Sequence, residues 1–214
     1  MWWKTLSAVL ILFSLLGGML MTVPRMDILN ETIRNLYYHV PLWFGMTVYF
    51  LISAVYSVDY LRRRMPTADI VAAEYARTGM VYGILGLVTG MIWANYTWGA
   101  PWHGDPKQTG AAITLFIFLA YFVLRNSVEN EETAARLSAV YNLFAFLSMI
   151  PLLFVMPRMT SSMHPGSGGN PGFNMYDLDS SMRIVFYPAA VGWILLGVWI
   201  TTLHIRVRKL NSLP

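Results

Sequence analysis

The stretch Trp98-Gly-Ala-Pro-Trp-His-Gly-Asp-Pro-Lys-Gln-Thr109 interrupts two long apolar runs. Gly and Pro break a helix, and His, Asp and Lys side chains are costly in hydrocarbon. The stretch therefore reads as a polar connection between two buried or membrane-embedded helices. Two indoles in one connection call for a reason. One reason is an interfacial belt, in which Trp anchors a helix end at the headgroups. The other is a large, planar, partly charged ligand, which suits flat aromatic faces beside a few fixed polar groups.

Outward from this loop the chain is apolar. Of 214 residues 56% are hydrophobic and 12% charged, where a soluble domain has about a quarter charged. Six runs have about the length that a bilayer requires: roughly Leu6 to Val23, Val40 to Leu61, Ala68 to Trp93 (fully apolar only from Met80), Gly110 to Leu124, Leu137 to Met156 and Ile184 to Leu203. The reading is an all-α membrane protein, one domain over residues 1–214, a bundle of six transmembrane helices. Met1-Trp-Trp-Lys4 before an apolar core imitates a signal peptide. No small-x-small cleavage site follows, so an uncleaved helix is expected.

Lys and Arg set the orientation. With the N-terminus inside, the inner segments hold Lys4, Arg62, Arg63, Arg64, Arg77, Arg125, Arg136, Arg206, Arg208 and Lys209. The outer segments hold Arg25, Arg34, Lys107, Arg158 and Arg183, which makes ten against five. Both termini are expected in the cytoplasm. Loops 24–38, 95–109 and 157–182 are then external. The net charge of +4 is spread over helix ends and does not point to nucleic acid. With no Cys, a disulfide framework and a thiolate metal site are excluded.

Each external loop brings a candidate ligand-binding group. His39 lies in Tyr37-Tyr-His-Val-Pro-Leu-Trp43, at the outer end of the second helix. His103 lies in the Trp-rich loop, and His164 in Ser161-Ser-Met-His-Pro-Gly166. His204 falls at the other end of the bundle. Two imidazoles can take both axial positions of a heme iron. Indoles would face the ring, and the cations Arg34 and Lys107 suit propionates. Zinc is less attractive, since the outer carboxylates are few and no His pair has compact spacing. Asp105 before Pro106 could cap the fourth helix or fix the loop through backbone N–H groups. The run Pro165 to Gly172 has a composition that would let the His164 loop open.

Trp98-Gly99-x-x-Trp102-x-x-Asp105 resembles the tryptophan-rich WWD signature of heme-handling membrane proteins of cytochrome c biogenesis. Tyr37-x-His39-Val-Pro, with Arg34 upstream, and the His164 loop match that family's two external histidines. Six helices in a little over 200 residues are similar to its heme exporter protein C (CcmC) branch, in system I. The resemblance implies a protein with no catalysis of its own, in the cytoplasmic (inner) membrane. It would hold heme b as cargo at the external face and pass it to a membrane-anchored chaperone, CcmE, beside CcmA, CcmB and a small subunit, CcmD. It implies His39 and His164 as axial ligands and Trp98, Gly99, Trp102 and Asp105 as the platform. Trp93, Arg34, Lys107 and His103 are further contacts. Pro101 and Gly104 stand where the family loop has two more indoles, Lys107 where it often has Arg, and His103 is either a third contact or a loop residue.

Two other classes share such a chain. A membrane heme oxidoreductase would place histidines inside the bundle, and none of these falls mid-helix. A permease would show repeats and midplane charges. Glu74 and Arg77 precede the apolar part of the third helix and are expected at the inner interface.

Overall fold

The computed structural model describes residues 2–25, 29–164 and 178–211. The run Pro165 to Gly172 and with it half of the 157–182 loop, residues 165–177, lie outside the described residues. Among the described residues, six helices are long and apolar enough to cross a membrane. They are α1 (Trp2–Leu20), α2 (Leu36–Arg63), α3 (Pro66–Trp98), α4 (Pro106–Ser127), α5 (Glu131–Ile150) and α7 (Ser180–Asn211). A 3-10 turn, Asn30–Asn35, leads into α2. A π-helical turn, Pro151–Val155, and a short helix α6, Met156–Met159, prolong α5. Pro151 has no N–H for the preceding turn, which is where the ladder widens.

Most helices outrun their apolar segments. α2 starts four residues before Val40 and α3 runs five beyond Trp93. Hydrophobicity marks the part that matches the hydrocarbon, whereas the hydrogen-bond ladder continues through polar ends until something stops it. For α3 the stop is Gly99, at φ 84°, where a side chain would be strained. For α1 it comes early: the helix ends at Leu20, and Arg34 Nη1 donates to the carbonyls of Gly18 (2.8 Å) and Met21 (2.6 Å). At α4, Asp105 caps Lys107 N at 2.9 Å and Pro106 takes the first helical position.

α2 is the axis of the bundle. It packs along α3 and also touches α5 and α7, with α4 on the far side of α3 and α5, and α1 on α7. The core holds Leu42, Met46, Tyr49, Phe50, Tyr75, Tyr82, Leu115 and Phe118. Phe50 and Phe118 stack with centroids 3.5 Å apart. The α2–α3 seam is built on glycine. A Cβ at Gly79 would come within 2.7 Å of Phe50, at Gly83 within 2.8 Å of Met46 Sδ, at Gly86 within 2.9 Å of Trp43 and at Gly90 within 2.7 Å of His39. Small residues at this spacing let two helices approach closely where lipid offers no hydrophobic drive. The four α2 side chains that fill the seam include His39, so the seam fixes where that imidazole stands.

Several polar groups inside the bundle are paired across helices. Tyr49 and Tyr82 donate to the Trp193 carbonyl at 3.1 and 2.8 Å, and Asn142 donates to Ser53 and Ser57 at 2.7 and 2.8 Å. At the end away from His39, Glu74 is 2% exposed and bonds Arg208 at 2.8 Å and Arg77 at 3.3 Å. The sequence placed Glu74 and Arg77 together before the apolar part of α3, and the structure puts them at this end of the bundle. Arg208, brought in by α7, joins Arg77 over this one buried carboxylate, both guanidiniums keeping contact with solvent. It borders a cleft of about 1910 Å³ lined also by Arg64, Asp69, Arg125 and His204.

Candidate functional site

The opposite end gathers the N-termini of α2 and α4, the C-terminus of α3 and the segment leading to His164. The last turns of α3 carry the aromatic wall. Trp93 and Trp98 meet edge to face with centroids 5.1 Å apart. The Trp93 indole N–H donates to the Thr32 carbonyl at 3.1 Å, which ties α3 to the turn before α2. Trp98 is the last helical residue, not a loop residue, because Gly99 turns the chain only after it.

His164 sits against this wall. Its ring lies 5.1 Å from Trp98 and 6.4 Å from Trp93, centroid to centroid. What holds it is Asp105. One carboxylate oxygen is 2.9 Å from His164 Nδ1, and the other accepts from Met163 N at 2.8 Å and Ser162 Oγ at 2.9 Å. Asp105 is 5% exposed. Burial alone would raise its pKa, but the bonds from His164, Met163 N and Lys107 N hold the carboxyl well below the usual carboxylate range. A charged carboxylate on the Nδ1 side orients the ring and leaves Nε2 as the outward nitrogen. One residue thus both starts α4 and docks the 162–164 segment.

His39 is half-buried in the first turns of α2. Its Nδ1 lies 3.1 Å from Thr89 Oγ1 on α3, and its Nε2 accepts the Trp43 indole N–H at 3.1 Å. His39 and His164 lie within electrostatic range of each other. Among the described residues, no three His, Asp or Glu side chains converge as a cage for a bare metal ion.

The remaining residues singled out in the sequence are placed as follows. Trp102 is 42% exposed, and His103 is exposed with its ring 5.9 Å from Trp98. Gly104 turns the loop at φ 67°. Lys107 lies in the first turn of α4, half-buried. Arg34 is engaged at the end of α1 and with Glu31 Oε2 at 2.6 Å. The structure therefore brings His164, Asp105, Trp93, Trp98 and His103 into one contiguous cluster, with His39 on the adjoining seam.

Sequence reading missed four participants. Gln108, buried, accepts from His103 N and donates to the Pro101 carbonyl, both at 3.1 Å, and so folds the loop back on itself. The Asp-x-x-Gln spacing of a capping box was the available signal. Trp43 lies one turn beyond His39 on the same helix face, a spacing visible in sequence. Ser162 and Thr89 left no signal that distinguishes them from any other hydroxyl.

A profile of the family described as "CcmC: Heme exporter protein C" matches residues 1–212. Among curated proteins, the "Heme exporter protein C" of Paracoccus denitrificans is 30% identical over 194 residues, 86% of this chain and 78% of the relative. That of Rhodobacter capsulatus is 28% identical over 191 residues, 86% and 77%. That of Escherichia coli K12 is 25% identical over 179 residues, 83% and 70%. A match along nearly the whole chain, on a bundle of six apolar helices, shows that the protein is a multi-pass membrane protein of the heme exporter protein C (CcmC) family.

Proposed function

We propose that this chain binds heme between His39 and His164 at the external face of the cytoplasmic membrane and presents it to a membrane-anchored, CcmE-like chaperone for c-type cytochrome maturation. Heme b is the cargo, and the chain performs no catalysis itself. The observation that carries the reading is the docking of His164 by Asp105 into the Trp93–Trp98 wall, beside the seam that holds His39. Both histidines have a partner on Nδ1 at one end of the bundle, which is how iron-ligating imidazoles are commonly oriented. Trp98 and Trp102 supply ring-face surface, and Lys107 supplies charge for a propionate. CcmA, CcmB and CcmD-like subunits are the expected neighbours in the bilayer.

The runner-up is a permease subunit, favoured by the cleft around Glu74. The packed core of Met46, Phe50, Tyr82 and Phe118 stands between that cleft and His39, which weighs against a continuous path. An oxidoreductase role has less support, because both histidines stand at one end of the bundle.

The test is the visible spectrum of protein purified in mild detergent, beside a His39→Ala/His164→Ala double variant. A bis-imidazole heme spectrum lost in the variant is expected. The same spectrum in both would refute the ligand assignment. Co-expression with the chaperone tests the transfer step: heme should move to the chaperone from wild type and not from the variant.

A further inference from the structure

The partners of the two His39 ring nitrogens carry an inference that rests on the heme reading above. Thr89 Oγ1 lies 2.8 Å from the Leu85 carbonyl and 3.1 Å from that of Gly86, so its single hydrogen is donated within its own helix. What the hydroxyl offers His39 is a lone pair. The 3.1 Å contact is therefore Nδ1–H donating to Thr89. An indole nitrogen can only donate, so Trp43 requires an unprotonated Nε2. Two partners, one on each helix of the seam, select the same tautomer independently. It is the tautomer whose Nε2 lone pair can bind iron, and that lone pair is covered by Trp43.

We propose that Thr89 and Trp43 are positioning residues of opposite sign for the His39 iron ligand. Thr89 fixes the tautomer and ring plane that present Nε2. Trp43 occupies the lone pair in the heme-free state and competes with iron for it, so heme is held more weakly than by an unopposed imidazole. That suits a carrier, which must give its cargo up. Gly90 contributes by leaving room for the ring against the α3 backbone.

The experiment follows ferric heme bound to protein in mild detergent. It measures bis-imidazole absorption and the rate of heme loss to excess apomyoglobin. Trp43→Phe removes the donor while keeping an aromatic ring on that face of α2, at the loss of part of the indole's contact with Gly86. Heme loss should slow about fivefold, the equivalent of one ordinary hydrogen bond. Thr89→Val should speed it about tenfold or more, as loss of the partner that orients a ligating imidazole does, and Thr89→Ser should restore the wild-type rate. If both residues merely supported the fold, Trp43→Phe would release heme faster, in the same direction as Thr89→Val. That result, or wild-type rates in both, would overturn the proposal.

His39→Ala separates the two levels. If it keeps the bis-imidazole spectrum, the heme reading falls and this inference with it. If it loses that spectrum while the Trp43 and Thr89 variants behave as wild type, only the inference falls. Should a variant fail to fold, nitrogen-15 spectra of histidine-labelled, heme-free wild type decide the matter. His39 must carry its proton on Nδ1, and a proton on Nε2 refutes the assignment.

Discussion

Replacing Asp105 with Ala tests whether the loop carboxylate serves mainly to hold His164. The substitution removes four acceptor contacts at once: Lys107 N, Met163 N, Ser162 Oγ and His164 Nδ1. The first is a helix cap, worth about 1 kcal/mol. The other three go to a buried charged group, and at the low end of their range they contribute about 1.5 kcal/mol each. About 4.5 kcal/mol then docks the 162–164 segment, enough to hold it almost wholly in place. Without it the imidazole is no longer oriented, and heme affinity should fall about 10- to 100-fold. Asp105→Asn keeps a cap and an acceptor oxygen and should lose much less. The assay is heme titration in detergent at the Soret band, with thermal unfolding of the heme-free protein alongside. Wild-type affinity in a folded Asp105→Ala protein would refute the docking role. The pH of the assay is not critical. The depressed carboxyl contributes stability above its unfolded pKa of about 4 and loses it only as pH falls through the lower folded value.

Gly90→Ala should displace the His39 ring, costing about 1–3 kcal/mol of overpacking and the bis-imidazole spectrum, whereas Ala at an exposed helical glycine would stabilise. Arg34→Ala should lower the unfolding temperature of heme-free protein, because it uncaps α1 at Gly18 and Met21. An arginine that served only propionates would leave the heme-free protein unchanged. Glu74→Ala removes the buried carboxylate but leaves Arg77 and Arg208 in contact with solvent, so it should destabilise by only about 1 kcal/mol, read by thermal unfolding, while the Soret band stays as in wild type.

The six spans were legible because bilayer thickness demands long apolar runs, and these stand out against polar connections. Their ends were not, since Leu36 to His39 and Asn95 to Trp98 are helical without being uniformly apolar. The Asp-Pro cap of α4 could be read from two adjacent residues. The second task of Asp105 could not, because Ser162 and His164 are more than fifty residues away and reach it only through the fold. For Arg34 the sequence suggested a propionate contact from its place five residues before His39, but not the bonds its guanidinium makes to the end of α1. For Glu74 the sequence offered Arg77, one turn away, but not Arg208, which only the packing of α7 supplies.

The glycine seam has a metrical consequence. His39 and Phe50 are eleven residues apart on α2, and Gly90 and Gly79 are eleven apart on α3. At 1.5 Å per residue that is about 16 Å, close to half of a hydrocarbon core about 30 Å thick. Eleven residues in three turns is about 3.67 per turn, near that of a straight helix, so the same faces stay in contact throughout. The seam thus acts as a depth gauge. Phe50 lies near the middle of α2, so His39 stands about half a hydrocarbon thickness from the middle of its helix, and its height is set by helix register. One residue inserted between positions 39 and 50 would swing the imidazole about 100° around α2, off α3 and into lipid or a neighbouring helix.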